Sequence, residues 1–191
     1  DVTISDISGA SPLSAFGGSQ YRSDVSLPLD LPDTLFIGIA YKFFDRLIVE
    51  LDFDWTGWRS FKQLRFDYAN ERPPFLTDTT IRKDWKNVLA FRTGLEYSFK
   101  NNFKARAGYA FDPSPVPEDT FEPRITDSNR HLITIGSGHI LGRFIVDIAY
   151  MAVFLKKRAI FNNEVGSPLT DIKGVYKSLS HLLGLNLSYR F

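Results

Sequence analysis

The segment HLITIGSGH, residues 131–139, gathers the side chains best suited to covalent or metal chemistry: Ser137 between two glycines, with His131 and His139 at its ends. A serine nucleophile needs a histidine within hydrogen-bonding reach and a strained strand-to-helix turn that lifts its hydroxyl clear. This segment alternates as a strand does, so His131, Ser137 and His139 share one face, and Gly-Ser-Gly forms no such turn. The two histidines would stand ~26 Å apart at ~3.3 Å per residue, too far to share a zinc ion. Cysteine is absent, which removes thiolate catalysis, disulfides and cysteine-ligated zinc together. The expectation is no enzyme, no metal and no cofactor. What remains is charge: 23 basic against 22 acidic residues, a formal net of +1, with no long run of either sign. Nucleic acid finds no electrostatic footprint here.

Those charges sit inside alternating segments, and the alternation decides where they point. Leu47, Val49, Leu51, Phe53 and Trp55 share a face opposite Ile48, Glu50, Asp52 and Asp54. Leu89, Phe91, Leu95 and Tyr97 oppose Arg92, Gly94 and Glu96, and Phe103, Ala105, Tyr109 and Phe111 oppose Lys104, Arg106 and Gly108. Leu35 to Phe43, Ile133 to Ile135, Phe144 to Phe154 and Leu183 to Phe191 follow the same period of two, the signature of strands with one apolar side. Tyr21–Asp30 is a further strand, and residues 1–20 are loop or the end of a preceding strand. Parity breaks between Trp55 and Leu64, which predicts a bulge at Gly57. Tight turns at Phe44-Asp45-Arg46, Asn101-Asn102 and residues 141–143 alternate with connections several times longer. About eight antiparallel strands result.

A soluble sandwich or lipocalin-like barrel also accounts for half-buried strands. Three features favour a transmembrane barrel instead. Ionised groups (Glu50, Asp52, Arg92, Glu96, Arg106, Asp147) occupy mid-strand positions opposite an unbroken apolar face, whereas a small soluble barrel has a dry interior. Short turns at one end and long loops at the other are the pattern of outer-membrane barrels. Aromatics flank the strands as girdles: Tyr41, Phe43, Phe99 and Phe103 by the short turns, Trp55, Trp85, Tyr109, Phe111 and Tyr150 by the other rim. No run of 18 apolar residues exists, so a spanning helix is excluded while a barrel is not. The chain starts at Asp1, has Met151 as its only methionine and shows no signal-peptide pattern, which predicts a processed product or a fragment.

The runs LPDTLFIGIAY, WTGWRSF, KDWKNVLAFRTGLEY, FDPSPVP and the final LNLSYRF, in that order, resemble the FadL-type outer-membrane transporters of long-chain fatty acids and other hydrophobic compounds. The resemblance covers roughly Tyr21 to Phe191. It implies an all-β fold, an antiparallel transmembrane β-barrel in the bacterial outer membrane. Residues 21–191 would supply about eight C-terminal strands of a roughly fourteen-stranded barrel, or alternatively a shortened barrel that closes alone. It also implies passive uptake of a hydrophobic ligand, with outer-membrane lipid around the wall. Phe75, Leu76 and Phe121 are the candidate apolar contacts in the loops, and Arg82 and Lys83 the candidate partners for a carboxylate there. Arg92 and Arg106 are candidates inside the lumen. The plainer readings are solvated loop positions and, for the lumen charges, a structural network with Glu96 and Asp147. Leu187, Tyr189 and Phe191 resemble the C-terminal signal that the outer-membrane assembly machinery reads. The rival functions are an outer-membrane lipid-modifying enzyme, set aside on the geometry of HLITIGSGH, and a general porin-like channel.

Overall fold

The computed structural model describes residues 23–71, 77–122, 127–161 and 174–191. The alternating segments become β1 (Val25–Ser26), β2 (Thr34–Phe43), β3 (Leu47–Thr56), β4 (Gln63–Tyr68), β5 (Thr79–Arg82), β6 (Val88–Ser98), β7 (Phe103–Asp112), β8 (Arg130–Leu141), β9 (Phe144–Leu155), β10 (Arg158–Ile160), β11 (Gly174–Tyr176) and β12 (Leu179–Tyr189). Seven of them form one antiparallel sheet in the order β12-β9-β8-β7-β6-β3-β2. Its strands run ten to twelve residues. At ~3.3 Å per residue and a tilt of ~40° that length spans ~25–30 Å, the height of an outer-membrane apolar band.

The short turns follow from their residues. Phe44 (φ 49°) and Asp45 (φ 58°) both take the left-handed conformation, and the Arg46 N–H donates to the Phe43 carbonyl at 3.1 Å. Two consecutive positive φ values give the turn whose twist matches that of the flanking strands. Asn102 (φ 59°) and Gly142 (φ 61°) serve the other two hairpins, as residues tolerant of that region do.

Burial is inverted relative to a soluble sandwich. The buried apolar residues Val116, Phe121 and Ile160, with Trp85 and Tyr176 packed on them, lie among the long loops and not against the sheet. On the apolar face Ile135 is 59%, Leu183 80% and Leu185 74% exposed. A row of bare leucines and isoleucines across seven strands has no protein layer over it among the described residues. Lipid is the solvent that makes such a face stable. Beside the short turns, rings chain together: Tyr41 on Phe43 (4.5 Å between centroids), Tyr97 on Phe99 (4.7 Å), Phe99 on Phe103 (5.5 Å) and Phe144 on Tyr189 (5.0 Å). No helix among the described residues is long and apolar enough to cross a membrane, so crossing falls to the strands.

Two expectations differ in detail. Gly57 does not bulge a continuing strand; the chain leaves the sheet in a 3₁₀ turn over Trp58–Ser60. Leu64 to Tyr68 then forms β4 of a separate sheet, β1-β4-β5, on the long-loop side. The expected strand Tyr21–Asp30 is reduced among the described residues to β1, paired with β4, so the main sheet has seven strands. The backbone at Gly57 is committed elsewhere, because its N–H donates to the Asp33 carbonyl at 2.8 Å.

One measurement checks the sidedness. A spin label at Val49, on the apolar face, is expected to be accessible to oxygen and shielded from an aqueous quencher in the folded protein. A label at Asp52 should show the reverse. A water-exposed Val49 is incompatible with a lipid-facing sheet.

Candidate functional site

On the polar face the register aligns Glu50, Gly94, Gly108 and Thr134 in one row. The next row is Glu96, Arg106, Gly136, Ala149 and Gly184. Where the side chains are small the face is recessed, and a groove of about 670 Å³ runs along it, bordered by Glu50, Glu96, Arg106 and Asp147. The charges on β6, β7 and β9 are paired. Glu96 accepts from Lys104 Nζ at 2.5 Å and from Arg106 Nε at 2.8 Å. Arg106 Nη1 also donates to Asp147 Oδ1 at 2.8 Å, and Asn186 Nδ2 reaches Asp147 Oδ2 at 3.4 Å. The Arg106–Asp147 pair joins β7 to β9 over the top of β8. Gly138 lets it pass, since a Cβ there would lie 3.3 Å from Arg106 Nη1 and press into the Asp147 carboxylate.

Toward the long loops a second cavity, about 620 Å³, opens at the mouth of this face. Pro32, Phe36, Trp58, Trp85 and Pro115 give it apolar walls, and Arg92 with Asp54, and Arg130 with Asp112, stand at its base. Arg92 is ion-paired with Asp54, and Arg130 Nε donates to Asp112 Oδ2 at 3.0 Å. Trp58 and Phe61 both meet Trp85 edge-on at 4.8 Å, so Trp85 belongs to the loop cluster and not to the lipid-facing rim where its position in the sequence had placed it.

The loop-borne candidates are equally engaged. Lys83 is buried (5% exposed) and ion-paired with Glu122, and Thr120 Oγ1 donates to the Lys83 carbonyl at 2.6 Å. Arg82 donates to Asp119 Oδ2 at 2.7 Å and Asp84 Oδ2 at 3.2 Å. The Asp119 hydrogen bond foremost lifts its pKa above the ordinary guanidinium value. All four expected carboxylate partners, Arg82, Lys83, Arg92 and Arg106, therefore already hold a carboxylate. Phe121 is fully buried in the loop core, and Phe75 and Leu76 lie outside the described residues. A cation absent from the sequence-based set, Arg158, lies over the Phe121 ring at 4.8 Å. Nothing in its local pattern marks it, because its partners Val116, Phe121 and Asp127 come from the distant connection between β7 and β8.

His131, Ser137 and His139 do share the apolar face. His131 Nδ1 lies 2.7 Å from the Tyr109 hydroxyl, His139 packs on Phe103 at 6.1 Å, and Ser137 pairs in register with Ala105 and Ile148. At the end of β12, Leu187 pairs with Val146, Tyr189 with Phe144, and Phe191 meets Tyr189 edge-on at 5.2 Å.

An antiparallel sheet with a lipid-facing apolar side and an inner side crossed by ion pairs has the features of an outer-membrane barrel wall. Residues 2–191 match the family of outer membrane protein transport proteins (OMPP1/FadL/TodX), and the chain belongs to that family. A Neisseria meningitidis serogroup B protein named as an outer membrane protein is 24% identical over 190 residues, 95% of this chain and 41% of the relative. The long-chain fatty acid transport proteins of Escherichia coli O6:H1 and K12 are 26% and 25% identical, each over 65% of this chain and 26% and 28% of their own length. The crystal structure of a Pseudomonas aeruginosa FadL homologue superposes with a TM-score of 0.73 at 24% identity, over 88% of this chain and 38% of that one. The chain thus spans about two fifths or less of the length of the relatives it matches.

Proposed function

We propose that this chain forms one wall of an outer-membrane channel for passive uptake of hydrophobic compounds, with long-chain fatty acids as the substrate class. The observation that carries the reading is the mouth cavity of about 620 Å³, whose proline, phenylalanine and tryptophan walls open onto a charge-paired inner face. An apolar chain leaving water gains ~0.8 kcal/mol per buried methylene, enough for such a cavity to concentrate it. The ligand then moves down its gradient without a covalent step. The substrate class rests on the names of the Escherichia coli relatives. Phe75 and Leu76 are the proposed apolar loop contacts, and Phe121 is proposed to contribute from the loop core, where it packs with Val116 and Ile160. Arg82 and Lys83 act at the loops through their carboxylate pairs, while Arg92 and Arg106 hold the inner wall together.

The same reading makes residues 21–191 part of a larger barrel. Both edge strands, β2 and β12, lack a partner on one side among the described residues. Unpaired backbone in lipid costs several kcal/mol per group, so further strands must cover them. Seven antiparallel strands leave β2 and β12 running in the same direction. All-antiparallel closure then requires an odd number of additional strands, and seven more would give fourteen.

The test is uptake of labelled oleate by cells that lack their own long-chain fatty acid transport and express the full-length protein. The expected result is uptake above the vector control that persists when cellular energy is depleted. No gain at a normal outer-membrane level would overturn the reading.

Assembly is part of the proposal. Leu187, Tyr189 and Phe191 form the outward face that the assembly machinery recognises. Deleting Phe191 removes one ring, ~1–3 kcal/mol of apolar burial, and is expected to leave the protein folded in detergent while delaying its arrival in the outer membrane. Arrival at the normal rate would reduce Phe191 to an ordinary rim aromatic.

A further inference from the structure

Strands β9 and β12 pair as far as Phe154 and Leu179, and the Leu155 N–H donates to the Ser178 carbonyl at 3.2 Å. Beyond them β10 and β11 continue the hairpin, with Arg158 opposite Tyr176. The register slips by one between these pairs, so Lys156 and Lys157 on one side stand against Lys177 alone on the other. That is a β-bulge, and every residue in it is a lysine. Lys177 alternates with Leu179 and Val175, which are 52% and 50% exposed on the outward side. Lys156 follows Phe154 by two residues and Lys157 precedes the exposed Ala159 by two, so all three lysines face outward and all three are exposed. Like charges set opposite one another destabilise a strand pair. None of the three makes an ion pair among the described residues. The acids bordering the recess beside Lys156 and Lys157 are engaged elsewhere: Asp119 holds Arg82, and Glu118 acts on Arg158.

Depth on the barrel says what these lysines meet. Just below them on the same face, His131 Nδ1 lies 2.7 Å from the Tyr109 hydroxyl and His181 Nδ1 lies 2.5 Å from the Tyr150 hydroxyl. Rings with one apolar body and one polar tip belong at the membrane–water interface. His131 is opposite Phe154 in register, so Lys156 stands one two-residue step further out, ~7 Å at ~3.4 Å per residue. The bulge is therefore at headgroup depth on the long-loop side, which faces the cell exterior in outer-membrane barrels. We propose that Lys156, Lys157 and Lys177 bind the phosphate of an outer-leaflet lipid whose acyl chains lie along Phe154, Leu179 and Leu183. The phosphate offsets the crowding of three ammonium groups. Charge above and bare hydrocarbon below is the polarity of a lipid, not of a free anion or a polypeptide.

The experiment titrates the full-length protein in dodecyl maltoside with bisphosphorylated lipid A, with the same lipid stripped of phosphate, and with inorganic phosphate. Bound lipid is read by native mass spectrometry and stabilisation by the thermal midpoint. Each single change to glutamine at Lys156, Lys157 or Lys177 is expected to weaken the phosphorylated lipid about fivefold, and the triple change about fiftyfold or more. The stripped lipid should bind all variants alike. Lys177→Glu should abolish the preference for phosphate and raise the thermal midpoint of the lipid-free protein, because it turns a like-charge cluster into ion pairs. Lys100→Gln, at the short-turn end, should change nothing. Four results would overturn the proposal: a triple variant that binds like the wild type, equal affinity of wild type for the two lipids, an equal loss in Lys100→Gln, or full stabilisation by inorganic phosphate alone.

Discussion

Replacing Ile135 with lysine is expected to destabilise the folded protein by about 2–4 kcal/mol, the cost measured for lysine near the midplane of an outer-membrane barrel. That shifts the folding equilibrium by roughly 30- to 700-fold. Ile135 lies in the middle of β8, between Ala107 and Tyr150 in register, and is 59% exposed on the apolar face. A lysine there has no rim within reach, so its ammonium must be drawn into hydrocarbon or drag water in. The neighbouring Thr134 points to the polar face, and Thr134→Lys at the same height should cost far less. Urea titration of the two full-length variants refolded into lipid vesicles gives the comparison. Equal losses would mean that the two faces of β8 meet the same solvent, and the membrane assignment would fail.

The second large effect is expected where the ion-pair network crosses β8. Gly138→Val fills the passage between Arg106 and Asp147 and should cost about 2–3 kcal/mol, from overpacking plus the lost charge-assisted hydrogen bond. The electrostatic part is held to about 1 kcal/mol because the Arg106 side chain is 40% exposed and water screens it. Arg106→Leu removes the same bridge from the other end. If Gly138 acts by admitting that bridge, the double variant loses less than the sum of the singles. Strict additivity would show that the glycine serves only local packing. Gly184→Ala is the control: a Cβ there meets nothing nearer than the Ala149 carbonyl at 3.9 Å, and the change should be nearly silent.

What the sequence by itself determined is which residues face which way. Period-two alternation is local, so Leu47 to Trp55, Leu89 to Tyr97 and Leu183 to Phe191 declare their apolar sides without any knowledge of their neighbours. The short turns are legible for the same reason: positive φ at Asp45, Asn102 and Gly142 is a property of two or three residues. Ionised groups opposite an unbroken apolar face, short turns alternating with long loops, and flanking aromatics then named the solvent as lipid. Only the tertiary structure decided the partners. Leu64 to Tyr68 alternates like any sheet strand, yet the Gly57 N–H bonds Asp33, the chain turns out at Trp58, and β4 pairs with β1 and β5 instead. Arg106 and Asp147, 41 residues apart, are expected in one network, but the route of their bridge, across β8 over Gly138, is set by three strands in register. Trp85 and Arg158 are drawn into the loop cluster by rings and carbonyls from distant segments. Facing is a matter of backbone geometry over two residues. Pairing depends on which strands and loops come together across the whole sheet, and no local pattern encodes that.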